Sequence, residues 1–281
     1  MLSSLDIEKK IRALYTIEDI VGAMKAYAGV TMRRTEDIVH NIRAYEKNLL
    51  LAMADIIRHY PGISLKEQNK GKRILVAFGS SQGLCGSFNE KMFDAVSGII
   101  TGNDILFVIG KRLKMSLELK HVSYGDYSDS VANISGIRPA LKETVSKIMN
   151  IYKKEAYYKL AFVFTYIFEK KAEISVEQIL PPDINKVSVL SPTRIPPFTY
   201  LEPKIIFNKI LEEFLFISLY RCYVESLRSE NWYRLRSMDG ASETLKRQLS
   251  NLNSVQMYTR QEEITEEMLE ILGSGMFYKK Y

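Results

Sequence analysis

The sequence predicts an α/β domain with a mostly parallel sheet, set between two long helices drawn from the two ends of the chain. Three observations carry this prediction. Both ends are free of proline and repeat apolar residues at helical spacing. The middle alternates strand-like and helix-like segments, the pattern of a doubly wound sheet. A proline-rich connector, Pro181-Pro182 through Pro192, Pro196-Pro197 and Pro203, leaves that middle region. The predicted divisions are an N-terminal helix over 1–60, an α/β domain over 61–203 and a C-terminal helix over 204–281.

The first helix runs from Leu2 to about His59, with Ile7, Ile11, Leu14, Ile17, Ile20, Met24 and Tyr27 as its apolar stripe. A weaker register continues through Met32, Ile38, Ile42, Tyr45, Leu49 and Met53, and Pro61-Gly62 is the stop signal. After the basic turn Lys70-Gly-Lys-Arg73, Arg73 to Gly79 reads as a buried strand. The Gly-rich turn Gly79 to Gly86 follows, then a helix from about Phe88 to Ile100. Asp104 to Ile109 is a second strand, and Gly110-Lys-Arg opens another helical stretch. A long helix is expected from Ser130 to about Lys154. Lys159 to Phe168 reads as a strong strand, and Glu173 to Leu180 alternates as a half-buried one does.

From about Ile205 to Leu272 there is no proline, and Gly240 is the one interior glycine. Ile210, Phe214, Ile217, Val224, Leu227, Leu235, Met238, Leu245, Leu249, Leu252 and Val255 repeat at three and four. A helix that long, ~100 Å at ~1.5 Å per residue, has nowhere to bury a stripe alone. The economical expectation is an antiparallel coiled coil of the two terminal helices. The alternative is a broken bundle that folds back on itself.

Composition excludes several classes. Of 281 residues, 46% are hydrophobic and 26% charged, an ordinary globular balance. Two cysteines, Cys85 and Cys222, make no disulfide framework, and His40, His59 and His121 share no metal-ligand spacing. No apolar run approaches the ~20 residues of a membrane span. The N-terminus enters a helical pattern at once, so neither a signal peptide nor a transit sequence is expected. A reducing compartment fits this usage. The net charge is +6, and the 61–202 segment carries most of it, with 19 basic against 14 acidic side chains. That excess serves either solubility or an acidic partner. No aromatic-interleaved basic stripe supports nucleic acid as that partner.

A Gly-rich turn after a first strand is where nucleotide folds hold phosphate. Gly79-Ser-Ser-Gln-Gly83-Leu-Cys-Gly86 lacks the Lys-Ser/Thr pair of a P-loop and misses the G-x-G-x-x-G spacing. Close backbone packing explains its glycines, and Cys85 reads as a small packing residue. The basic doublets and the acidic cluster from Glu262 to Glu267 read as solvated helix faces. No catalytic pair, triad or metal cluster appears, so no cofactor is expected.

Three stretches together resemble the gamma subunit, the rotor shaft, of rotary F-type ATPases. Ile17 to Arg34 is similar to the family's "T-x-K-I-T-x-A-M-x-M-V-A-x-x-K-M-R-R" helix. Gly79 to Asn89 is similar to its "D-R-G-L-C-G-G-L-N" turn. Glu225 to Glu230 with Arg234, Met238, Arg260, Gln261 and Glu266 to Gly275 resembles its C-terminal pattern. The departures are Asp19 for a Lys, Ser81-Gln82 for Asp-Arg, Asp239 for a Lys, and the charged tail at Lys279-Lys280. Met24-Lys-Ala and Gln82 to Glu90 look closer to the N-type branch, and the thiol-bearing insert of the plastid form is absent.

The resemblance implies a Rossmann-like α/β domain and a coiled coil of long antiparallel N- and C-terminal helices. It also implies a non-catalytic shaft that couples proton or sodium flow to ATP synthesis or hydrolysis. The implied partners are the alpha and beta subunits of the catalytic ring, the epsilon subunit and the membrane c-ring. The implied place is the cytoplasmic face of the cell membrane, reached only through the complex. Met24, Arg234, Arg260 and Gln261 match the family's ring-contact positions, and Glu225 to Glu230 its helix-packing segment. Two rivals remain: a nucleotide-binding α/β protein, and a coiled-coil scaffold outside the ATPase.

Overall fold

The computed structural model describes residues 4–60, 62–63, 72–154, 159–183 and 195–277. Pro61, Lys70-Gly71, Pro192 and Lys279-Lys280 lie outside the described residues. The elements are α1 (Ser4–His59), β1 (Arg73–Phe78), α2 (Phe88–Ile99), β2 (Asp104–Ile109), α3 (Lys111–Leu119) and β3 (Asp126–Ser128). After a single 3-10 turn (Ile134–Gly136) come α4 (Ile137–Lys154), β4 (Lys159–Phe168), β5 (Lys171–Leu180) and α5 (Pro203–Phe277).

The sheet order is β3-β2-β1-β4-β5, with β5 alone antiparallel. The two residues joining β4 to β5, Glu169 and Lys170, both take positive φ (44° and 63°), as a tight primed hairpin turn requires. Both faces of the sheet are covered, which is why β1, β2 and β4 are continuous apolar runs rather than alternating ones. On one face Leu75, Ala77, Leu106 and Val108 meet Met92 and Val96 of α2 and Leu113 and Leu117 of α3. On the other, Ile74, Val76, Phe78, Phe107 and Phe162 share a core with α4, α1 and α5.

The helix expected from Ser130 begins only at Ile137. A start at Ser130 would put Pro139 deep inside the helix, where it removes a hydrogen bond and clashes. In the observed helix it falls in the first turn, where neither cost arises.

The chain divides into two compact units, Met1–Tyr27 with Leu235–Tyr281, and Ala28–Arg234. In the first, Ile7 and Ile11 of α1 pack on Leu249 of α5, and Val21 packs on Met238 and Leu245. Rising numbers on α1 meet falling numbers on α5, so the pair is antiparallel. In the second unit the same sense holds, with Glu36 facing Arg228 and Glu46 facing Arg221.

The seam of α1 differs from the expected stripe. Ile17, Ile20 and Tyr27 are exposed (45%, 54% and 45%), and Val21 is buried between Ile11 and the next turns. A strict seven-residue repeat from Ile7 and Ile11 leads through Leu14, Val21, Ala28, Thr35, Val39 and Ile42, which are buried or half-buried. Two helices that wrap each other keep that 3.5-residue period, and the large residues at 17, 20 and 27 fall one position to its side. Val255, expected on the α5 stripe, is also exposed.

Candidate functional site

The carboxyl ends of β1 and β4 are where a doubly wound sheet opens its ligand crevice, because the strand order turns there. In this chain α5 crosses that place. Ser226 Oγ donates to the Phe78 carbonyl at 3.5 Å, and Ser229 Oγ to the Thr165 carbonyl at 2.9 Å. Residues 221–227 of α5 are buried on every side. The helix fills the space a nucleotide would take, and this geometry opposes the nucleotide-binding rival.

The Gly-rich turn is built for close packing. A Cβ on Gly79 would lie 2.3 Å from Leu113 Cβ. Gly110, at the end of β2, has φ +106°, and a Cβ there would lie 2.6 Å from the Gly79 carbonyl carbon. Ser80 Oγ donates to the Gln82 carbonyl at 2.8 Å and accepts from Asn89 Nδ2 at 2.9 Å. Cys85 is buried among these groups, and desolvation pushes its thiol up, so it is a packing residue and no activated nucleophile. Ser81, where the family has Asp, accepts the Ser130 amide at 2.8 Å and the Lys111 amide at 3.4 Å.

Arg234 lies at this turn and is 2% exposed. It pairs with Glu230 one helical turn earlier, donates to Asn231 Oδ1 at 2.9 Å and reaches the Gly83 carbonyl at 3.5 Å. Burial pushes the Glu230 carboxyl up, against the pull of the Arg234 guanidinium. Nη1 and Nη2 of Arg234 are thus engaged within this chain, while its Nε is buried with no hydrogen-bond partner among the described residues.

Met24 is half-buried in the first unit and packs with Val21, Met238 and Leu245. Beside it Lys25 forms an ion pair with Asp239 at 2.6 Å. The acidic departure at 239 thus has a partner across the helix pair. Arg260 and Gln261 stand on α5 beyond its last packed residues, Leu249 and Leu252. From Arg260 to Leu272 every side chain is exposed, and Met257, Tyr258, Ile264, Met268, Leu269 and Ile271 add a large apolar surface. An apolar surface of this kind marks an interaction site. The structure thus holds Met24 within the helix pair, buries Arg234 at the turn, and leaves Arg260 and Gln261 open.

The ion pairs that join α1 to α5, and α5 to β5, had no signal in the sequence. Arg43 meets Glu225, and Arg221 meets Glu46 and Glu177, with partners far apart along the chain. Among the described residues no group of His, Cys, Asp and Glu is placed to hold a metal, and no helix is long and apolar enough to cross a membrane.

An α/β domain with both sheet faces covered, whose ligand crevice is filled by its own C-terminal helix, together with an antiparallel helix pair, defines a class in which the helices are the working part. A sequence-family model described as ATP synthase matches residues 3–276. The ATP synthase gamma chain of Bdellovibrio bacteriovorus is 27% identical, with 98% of each chain covered. That of Malacoplasma penetrans is 28% identical over 98% of this chain and 99% of the relative. Among solved structures, the rotor of the Euglena gracilis mitochondrial ATP synthase covers 93% of this chain and 98% of its own, at TM-score 0.63 and 12% identity. The central stalk and c-ring structure of the Tetrahymena thermophila mitochondrial ATP synthase contains a similar fold, at TM-score 0.60 and 18% identity, over 79% of this chain and 99% of its own.

This chain belongs to the ATP synthase family, and the relatives it matches along its length are gamma chains.

Proposed function

We propose that the chain is the central-stalk gamma subunit of a rotary F-type ATPase, a non-catalytic shaft that carries torque between an ion-translocating membrane ring and the catalytic alpha/beta ring. The observation that carries this is the antiparallel pairing of α1 with α5 in a chain that matches gamma chains end to end. In this reading residues 1–60 and 204–281 form the shaft and 61–203 the α/β domain. The shaft acts by contact. Each face it presents favours one open or closed state of the neighbouring subunit through differential interaction, so turning it changes which catalytic site is tight.

Arg260 and Gln261 engage one beta subunit as a catch, supported by their exposure on an apolar stretch of α5. Met24 faces acidic beta loops, with Lys25 beside it. Arg234, buried on Glu230, reaches the ring only if that pair opens, and its first task is to anchor the Gly83 turn to α5. Epsilon and the c-ring are the remaining partners. The chain sits at the cytoplasmic face of the membrane through the complex alone.

The test is purification of the tagged chain from its own cells. Alpha and beta subunits are expected to co-elute in stoichiometric amount, and the isolated chain to take up no ATP in calorimetry. An Arg260→Ala chain should still assemble and lower the coupled rate. A tagged chain that emerges without ring subunits, or that binds ATP saturably by itself, contradicts the reading.

A further inference from the structure

Where α1, α5 and the sheet meet, one arginine holds two carboxylates from two different elements. Arg221 of α5 is 6% exposed. Its Nε lies 2.7 Å from Glu46 Oε2 on α1, and its Nη2 donates to Glu177 Oε2 on β5. The guanidinium carbon sits 5.2 Å from the Phe164 ring centroid on β4, so the planar group is held from below by an aromatic face. Ser218 Oγ, one turn earlier on α5, donates to Glu46 Oε1 at 2.6 Å and fixes that carboxylate from its other side. On either flank Arg43 of α1 meets the fully buried Glu225 of α5, and Arg228 meets Glu36 at 2.8 Å. A cleft of about 380 Å³ opens over this cluster, lined by Arg43, Glu46, Phe164, Tyr166, Glu177 and Arg221 among others.

The surrounding core is apolar and large. Apolar packing stabilises contact without fixing register, since ridges that slip into the next groove keep much of the buried area. A buried charge behaves differently: displaced from its partner it is left unpaired in a dry site, and such groups specify register. We propose that Arg221 is the register clamp of the rotor, a positioning residue that ties α1 and β5 to α5 so that torque entering the α/β domain turns the helix pair without sliding it over the sheet. This rests on the central-stalk reading. The fork of a guanidinium spans two carboxylates at once, which the single ammonium of a lysine does not.

The test uses the whole complex carrying Arg221→Lys or Glu177→Gln, with ions transported per ATP hydrolysed measured against an opposing gradient. Glu177 is a partly exposed member of the cluster, so its variant removes the charge from the β5 tether and leaves the Glu46 pair in place. Both variants are expected to assemble, to keep the ATPase rate and a melting temperature near wild type, and to lose about half or more of the ions moved per ATP. Register is the property at issue, and a merely stabilising role would leave the ratio intact once melting is restored. A wild-type ratio in both variants, or one that falls only as far as melting falls, overturns the clamp. A wild-type complex that pumps no ions removes the central-stalk reading itself, and the clamp with it.

Discussion

Asp104 shows how a single side chain sets the start of the sheet. It stands opposite Arg73 in the parallel β1/β2 register, and Arg73 reaches it through Nε at 3.0 Å and Nη2 at 2.7 Å. Thr101 adds its amide at 2.8 Å and its hydroxyl at 2.9 Å. Burial by itself would raise the Asp104 carboxyl, but the hydrogen bonds from Arg73 and Thr101 outweigh it and hold the group below the usual carboxylate range. A depressed value in the folded state stabilises at pH above the ordinary 3.8, and that share is lost as pH falls through the folded value. Asp104→Asn should therefore cost about 1–3 kcal/mol in urea unfolding at neutral pH. Its deficit should close as the solution is acidified below the ordinary value, and a deficit independent of pH would refute the assignment. Residues of this kind were half legible: Asp104 and Arg73 were visible as strand ends, but not as partners. Arg234 was legible as a family position, whereas its burial on Glu230 was not, because one i,i+4 pair on a long helix looks the same whether it faces water or core.

At the scale of elements, the strands and their order of appearance were plain because apolar runs of β-branched and aromatic residues lay between glycine turns. β3 was not, since three residues carry no period. The α1 seam was misplaced for a physical reason. Ile17, Ile20 and Tyr27 are the larger side chains, yet the pair buries Val21 and Ala28 and sets the Lys25–Asp239 ion pair beside them. Small seam residues let helices approach, and large ones left outside offer an apolar strip to another molecule. Val21→Ser should cost about 2 kcal/mol through lost burial and an added buried hydroxyl. Ile20→Ser, on the neighbouring exposed position, should stay within about 0.5 kcal/mol. Thermal unfolding followed by helicity measures both, and equal costs would return the seam to Ile20. At Gly110, where φ is +106° and a Cβ would strike the Gly79 backbone, Ala should destabilise by several kcal/mol and Asn by no less. A Gly110→Ala chain as stable as wild type would contradict the close approach of the β1 and β2 ends.

At the scale of the whole molecule, the account makes the chain a mechanical part. Its α/β domain has the architecture of a nucleotide-binding fold with the crevice occupied by its own α5, and its exposed apolar surface lies at the far end of that same helix. Order, spacing and length of three motifs were enough to read the family in the sequence. The tie between helix pair and sheet was not, because Arg221, Glu46 and Glu177 come from three separated segments and sequence spacing says nothing about their meeting. Both native cysteines are buried, which leaves the surface free for selective labelling. Lys209, whose side chain is 76% exposed on α5, accepts a cysteine and a bead without touching the core. With the alpha/beta ring fixed to a surface and the bead on Lys209→Cys, ATP should drive sustained rotation in one direction. A bead that only fluctuates while the same complexes hydrolyse ATP would contradict the shaft.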